Sequence, residues 1–306
     1  MAYPRLVRPG ATYAICRRVQ GRYHLLRPDE DFNRLFRWLL ATVAEARHIT
    51  LHVAVCMSNH FHLVVTAGDE GVSDFMHDLD MHLAKALQRL RGLGPGAVFE
   101  PGRLSVVELK TEEAVVEQIA YAIVNPAAAA LVHDADRWPG VTARVSELGT
   151  GSLRGEKPDY YFVAPTWPEV SETPYVLPAF LAELGLERAH ARLAAEVERQ
   201  QAEALARIRT ERLPVMGATA VRRVSPRSSP KTPPRSGGRV PHVAVGRGQR
   251  QARIAALREL KHFRLDHREA KQRWRQGDRD VVFPAGTYWM VVHHRARAAP
   301  FPAPFP

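Results

Sequence analysis

Two histidines separated by one residue are the feature of this sequence that most suggests chemistry. His60 and His62 stand at the head of an apolar run that continues to Val65. Side chains alternate between the faces of a strand, so both imidazoles would share one face while Phe61 and Leu63 point to the other. A pair of neighbouring imidazoles can bind one divalent ion. The alternative is an edge strand whose histidines face solvent.

A second candidate group lies at the end of a predicted helix over residues 111–124. The apolar residues of this helix fall on one arc, and Tyr121 lies well off that arc at about 100° per residue. Asn125 follows one turn later on the same face as Tyr121. Pro126 disfavours further helix, so we expect Asn125 at the helix end with a free amide. With the histidines, these residues would supply a nucleophile and a third metal ligand; alone, Tyr121 is an exposed side chain beside a groove.

The residue types leave two alternatives open for this chemistry. One is a tyrosine at Tyr160–Tyr161, which follows a basic loop that contains glycine. The other is a tetrahedral zinc site, although a buried free cysteine in an apolar strand is ordinary. Its ligands would be Cys56, His60, His62 and His52.

The elements that must position these residues follow a regular order. The pattern predicts strand, helix, two strands, helix, strand and helix, which describes an α+β domain with helices packed on an antiparallel sheet. Asp29 and Thr111 are suited to begin the first and third helices. The predicted strands are 11–19, 49–56, 60–66 and 103–109, and the second helix is 72–91.

The second half of the chain differs in composition. Residues 221–251 hold eight Lys or Arg, five Pro and no Asp or Glu, a composition that cannot build a core. Helical spacing is clear over 181–212 and 251–276, and short strands are expected at 281–284 and 287–292. We therefore predict a domain at 1–145, a helical extension at 146–220, a basic disordered linker at 221–251, and a basic helix with short strands at 252–306.

Composition restricts the class of protein. The chain has 306 residues and a formal net charge of +11, an excess that favours polyanionic partners such as nucleic acid. No apolar run reaches the ~18 residues of a membrane span, and no signal peptide is recognisable. Two cysteines are too few for a disulfide framework. We expect a cytoplasmic protein without membrane contact.

The two motifs resemble those of the single-tyrosine HUH transposases. Met57–Val65 is similar to the histidine–hydrophobic–histidine motif of that family, and Tyr121–Pro126, with Leu131–Val132 beyond it, is similar to the family's tyrosine helix. The resemblance is to the REP-associated tyrosine transposases, relatives of the smallest insertion-sequence transposases. It includes Pro9–Tyr13 and the helix Asp29–Leu40, and so covers about residues 1–140.

The resemblance implies a ferredoxin-like HUH domain followed by a mainly helical basic region, in a bacterial, nucleoid-associated DNA transposase. His60, His62 and Asn125 would hold Mg²⁺ or Mn²⁺. Tyr121 would cleave and rejoin single-stranded or hairpin DNA through a 5′-phosphotyrosine, in a monomer or homodimer. An alternative from another class is a non-catalytic, transposase-derived DNA-binding or regulatory protein. The arginines expected to contact DNA are Arg17, Arg18, Arg103, Arg222 and Arg223.

Three segments depart from the family pattern. Ser58 stands where proline is common, which should be harmless. Ala127–Ala130 replaces the usual Val-Arg-Ala-Gly, and Phe99–Leu104 replaces Phe-Gln-x-Arg-Tyr. If the arginine of the usual Val-Arg-Ala-Gly segment contacts DNA in relatives, that contact is missing in this chain. The departures bear on substrate affinity more than on chemistry.

Overall fold

Four antiparallel strands form the sheet on which the candidate residues lie. The computed structural model describes residues 4–68, 71–96, 98–232 and 241–301, without the side chain of Arg103. The strands lie in the order β2-β3-β1-β4. This is the ferredoxin-like order, and it confirms the predicted α+β class and element sequence. The elements are β1 (Thr12–Val19), α1 (Glu30–Ala46), β2 (Ile49–Cys56), β3 (His60–Ala67), α2 (Gly71–Leu90), β4 (Phe99–Leu109) and α3 (Glu112–Ala128).

The register of β1 against β3 decides which residues share a face. Arg18 is paired with His60 and Cys16 with His62, whereas Arg17 is paired with Phe61. Residues paired directly across antiparallel strands point to the same face. Arg18 and Cys16 therefore lie on the face of the two histidines, called the histidine face below. The opposite face carries Phe61, which packs against α1, and α3 covers the histidine face.

Helix α3 extends further than its sequence predicts. It continues through Pro126 to Ala128 instead of ending at Asn125. Proline lacks an N–H and cannot donate to the carbonyl of Ala122, so the helix loses one hydrogen bond, which costs stability. Burial of residues 124–127 offsets this cost. The chain then leaves the helix at Ala130, which has φ 55°.

The residues that follow α3 pack against the same core. A hairpin and two helices come next, and Leu148, Leu153 and Leu193 are buried in one core with the residues of α1 and α3. The hairpin lies on α1, and the longer helix lies along α3. One core therefore spans the boundary predicted at residue 145. These elements are β5 (Ser152–Glu156), β6 (Val170–Pro174), α4 (Ala179–Ala182) and α5 (Leu186–Thr210).

The C-terminal part differs from prediction at two places. Residues 243–244 of the predicted disordered linker form β7, which extends the sheet parallel to β4; residues 233–240 lie outside the described residues. Backbone pairing needs no apolar side chains, so composition could not reveal this strand. Residues 289–292, predicted to be a short strand or packed extended segment, belong instead to a helix that runs from 289 to 294. The elements are α6 (Ala218–Arg223), β7 (Val243–Ala244), α7 (Arg250–Arg275), β8 (Val282–Phe283), α8 (Trp289–His294) and β9 (Arg297–Ala298). Over the described ranges, no helix is both long and apolar enough to cross a bilayer.

The start of α1 depends on one carboxylate. Asp29 accepts a hydrogen bond from the Phe32 amide at 3.0 Å and forms ion pairs with Arg91 at 2.7 Å and Arg27 at 2.8 Å. Burial alone would raise the pKa of Asp29, but the hydrogen bond and charge of Arg91 and the Phe32 amide outweigh it. The pKa therefore lies below its ordinary value.

Replacing Asp29 with alanine should lower the free energy of unfolding by about 1–2 kcal/mol near neutral pH, because a helix cap is lost. A depressed folded-state pKa means that the carboxylate stabilises the fold above about pH 4, its unfolded pKa, and that this contribution is lost as the pH falls further. Urea unfolding at pH 7 and pH 3 should therefore show a difference between wild type and variant that shrinks in acid. Asp31→Ala, in the same turn but exposed, is the control. Equal destabilisation at both pH values would contradict this account.

Candidate active site

Strand β3 and helix α3 bring the four predicted residues together. The rings of His60 and His62 are 4.8 Å apart between centroids and nearly perpendicular. The Tyr121 ring meets His62 edge to face at 5.5 Å. The amide of Asn125 lies 3.3 Å from His62 Nε2. Tyr121 is 45% exposed, whereas Asn125 is only 7% exposed, so the tyrosine is accessible from solvent while the amide is fixed beneath it.

A residue not singled out in the sequence orients the first histidine. Asn59 Oδ1 lies 2.7 Å from His60 Nδ1, and Asn59 donates through Nδ2 to the carbonyl of Arg22 at 3.2 Å. Its oxygen must therefore accept the Nδ1 proton of His60, which leaves the Nε2 lone pair of that ring available. A side-chain hydrogen bond links the same ring to Asn125. The sequence signal for this orienting role is the position of Asn59 directly before the first histidine.

Both imidazoles are neutral at physiological pH. Burial lowers the pKa of His60 to about 4, with a smaller contribution from the charge of Arg18. Burial lowers the pKa of His62 well below its usual range, and His60 and Arg18 add to this effect. The neutral form is the one that binds metals.

The side chains at the site could supply two nitrogen ligands and one oxygen ligand to a divalent ion. Two imidazole nitrogens converge with the amide of Asn125, whose oxygen replaces its nitrogen after a half turn of the amide group. Across the described residues, three or more His, Cys, Asp or Glu side chains nowhere come together as a metal site. An ion held here would therefore rely on the amide and on ligands from outside the protein.

The structure does not support the zinc alternative. Cys56 is paired with Phe61 and so lies on the face opposite the histidines. Both ring nitrogens of His52 are engaged, Nδ1 with the Val176 carbonyl at 2.6 Å and Nε2 with Thr66 Oγ1 at 2.8 Å. These two residues cannot join a tetrahedral set with the histidine pair.

The competing tyrosines lie away from the histidine pair. Tyr161 packs edge to face on Phe162 at 4.6 Å, and its hydroxyl lies 3.5 Å from His82 on α2. Burial raises the pKa of Tyr160 to about 12. Because α1 and α2 cover the opposite face of the sheet, neither hydroxyl reaches the histidine face.

The five predicted arginines are not placed alike. Arg18 lies beside His60 on the histidine face and has no carboxylate within 4 Å in the described parts of the chain. Arg17 lies on the opposite face, where its Nε is 2.7 Å from Asp80. The side chain of Arg103 lies outside the described residues. Arg222–Arg223 is exposed at the end of α6, and Arg222 borders a different cavity, beside α1.

Two cavities meet at the site. The histidine groove, of about 520 Å³, is bordered by Arg18, His60 and the end of α3. The tyrosine cleft, of about 430 Å³, lies between α3 and α5 and is bordered by Tyr121. Ala128 and Arg207 border both cavities. The extension therefore contributes to the walls of the site, which the sequence did not predict.

No family model and no curated protein sequence matches this chain. Among solved structures, a REP-associated tyrosine transposase bound to a REP hairpin is similar, with a TM-score of 0.39 and 19% identity over 46% of this chain and 81% of that one. A candidate transposase from Deinococcus radiodurans R1 is also similar, with a TM-score of 0.29 and 19% identity over 41% of this chain and 97% of that one. Each likeness covers less than half of this chain.

Proposed function

We propose that the protein cleaves and rejoins single-stranded DNA, including hairpins, with Tyr121 as the nucleophile and a divalent ion as cofactor. One observation carries the proposal: an accessible tyrosine lies edge to face on His62, which with His60 forms a pair of half-buried imidazoles whose pKa values are lowered by burial. The resemblance of the two motifs to those of single-tyrosine HUH transposases supports the same chemistry. This combination is expected in a transposase.

The residues of the site would divide the work as follows. His60, His62 and Asn125 would hold Mg²⁺ or Mn²⁺, which when bound supplies Lewis-acid activation and neutralises phosphate charge. Arg18 adds a positive charge beside His60. Tyr121, which borders the tyrosine cleft, would attack a DNA strand lying in that cleft.

The reaction exchanges one phosphodiester for another. The Tyr121 oxygen forms a bond to phosphorus as the bond from phosphorus to the 3′ oxygen breaks. The phenol loses its proton, and the released 3′ oxygen gains one, so the products are a 5′-phosphotyrosine and a free 3′-OH. Because the phosphodiester bond energy is kept in the covalent intermediate, rejoining requires no other energy source.

The surroundings of the site favour an extended polyanion over a small substrate. The histidine groove and tyrosine cleft share a wall, so a strand can pass from one to the other. Arg18, Arg207 and the net charge of +11 favour phosphates. These features suit a nucleic acid strand that runs past Tyr121.

Incubation of the protein with a library of DNA hairpins in Mn²⁺ should yield a covalent adduct on a denaturing gel. A 5′-phosphotyrosine leaves the downstream fragment on the protein, so a label at the 3′ end should migrate with it and a label at the 5′ end should be released. A 5′ label on the protein would contradict the proposed polarity. Salt-sensitive binding without any adduct would favour the non-catalytic DNA-binding protein instead.

A further inference from the structure

We infer that Arg207 of α5 binds a DNA phosphate next to the one that Tyr121 attacks. The inference rests on the proposed function, because it assigns part of the same DNA path. Helix α5 lies outside the region of family resemblance, which ends near residue 140. The extension would therefore complete the DNA-binding site of the domain.

The position of Arg207 places its guanidinium between the two cavities. Its Nη2 donates to the Ala128 carbonyl at 2.5 Å, and both residues border the histidine groove and the tyrosine cleft. Ala128 comes seven residues after Tyr121, which is two turns or about 10 Å along the same face of α3. A strand attacked by Tyr121 would therefore meet Arg207 at a flanking phosphate.

Among the residues that the structure describes, none acts as a counterion to Arg207. Its Nε is buried and has no hydrogen-bond partner, and no carboxylate lies within 4 Å of its guanidinium in the described ranges. Glu211, which directly follows α5, borders the histidine groove, but it is exposed and forms no ion pair with Arg207. A buried donor without a partner is costly, and a planar guanidinium fits a phosphate with two parallel hydrogen bonds.

The other arginines of the tyrosine cleft are already neutralised. Arg199 forms ion pairs with Glu196 and Glu203, the latter at 2.5 Å. Arg247 lies 3.5 Å from Glu203. These contacts reduce the attraction of Arg199 and Arg247 for an anion. Arg207 is therefore the guanidinium of the cleft best placed for a phosphate.

The salt dependence of DNA binding tests this contact. The full chain and its variants would be titrated with a single-stranded deoxythymidine oligomer in EDTA, so that no cleavage interferes, over a range of salt concentrations. Arg207→Ala should weaken binding about tenfold and reduce the slope of log affinity against log salt by about 0.7, the value for one phosphate on a single strand. Arg207→Lys should restore most of the slope. Arg209→Ala, exposed on the same helix, should change it much less.

The outcomes separate this inference from the proposed function. If Arg207→Ala has a reduced salt slope but the wild type forms no adduct, the phosphate contact is supported and the proposed cleavage is rejected. An unchanged slope in Arg207→Ala would overturn the contact even if the wild type forms the adduct. The phosphate contact would also be overturned if Arg207→Ala lost adduct formation at saturating DNA while its salt slope stayed unchanged. Arg207 would then support the reaction only by holding α3 in place. Unfolding midpoints of both Arg207 variants show whether the lost bond to Ala128 affects the fold; only a charge contact predicts recovery of the slope by lysine.

Discussion

Replacing Tyr121 with phenylalanine should abolish covalent attachment of DNA to the protein while leaving the fold and DNA affinity unchanged. The substitution removes one hydroxyl and keeps the ring that packs on His62. Since the hydroxyl is the proposed nucleophile, adduct formation should fall by at least about 1,000-fold. Denaturing gels of the hairpin reaction measure this, and binding titrations in EDTA measure affinity.

The matched control for this variant is Tyr161→Phe. Tyr161 also carries a partly buried hydroxyl near a histidine, His82, but on the opposite side of the sheet. Its loss should leave the adduct yield unchanged. If Tyr121→Phe formed the adduct normally and Tyr161→Phe did not, the nucleophile would lie on the side of the sheet opposite the histidines. That result would contradict the proposed role of Tyr121.

Replacing His60 or His62 with alanine should stop cleavage almost completely, because each substitution removes one of the two proposed imidazole ligands. We expect a loss of at least about 100-fold, and EDTA should have the same effect on the wild type. DNA binding should survive, since phosphate contacts with basic residues carry most of the affinity. Calorimetric titration of each variant with Mn²⁺ alone measures metal affinity independently of activity.

Two further variants make the metal prediction specific. Asn59→Ala removes the acceptor that orients His60 Nδ1, together with the hydrogen bond from Asn59 to the Arg22 carbonyl. It should reduce Mn²⁺ affinity by about 10–100-fold. His133→Ala removes an exposed histidine beyond α3 and should have no effect. Full cleavage in EDTA, or Mn²⁺ binding unchanged in both His60→Ala and His62→Ala, would contradict the metal site.

The local pattern of the sequence was sufficient to predict most of the sheet domain. Alternation in residues 60–66 and helical spacing from Asp29 onward depend on contacts close in sequence, and the structure has these elements. The placement of Arg17 depends instead on register. Arg17 and Arg18 are neighbours in a strand, so they must face opposite sides. Only the pairing of Arg18 with His60 identifies which of them lies at the site.

Parts of the site formed by distant segments could not be predicted. The sequence showed that Ala127–Ala130 lacks the arginine of the family pattern. It gave no indication that Arg207 lies against the carbonyl of Ala128, because the two residues are 79 positions apart and belong to different helices. The packing of α5 on α3 creates this contact. The continuation of α3 through Pro126 similarly depends on burial of residues 124–127 by parts of the chain distant in sequence.

The site of DNA attachment on the protein is the most direct test of the account. Trypsin should release residues 111–137 as one peptide, in which Tyr121 is the single tyrosine. After the hairpin reaction in Mn²⁺ and nuclease digestion of the bound DNA, mass spectrometry should find a nucleotide joined through its 5′ phosphate to Tyr121 in this peptide. A nucleotide on any other residue, or a DNA-linked protein in which this peptide is unmodified, would contradict the account.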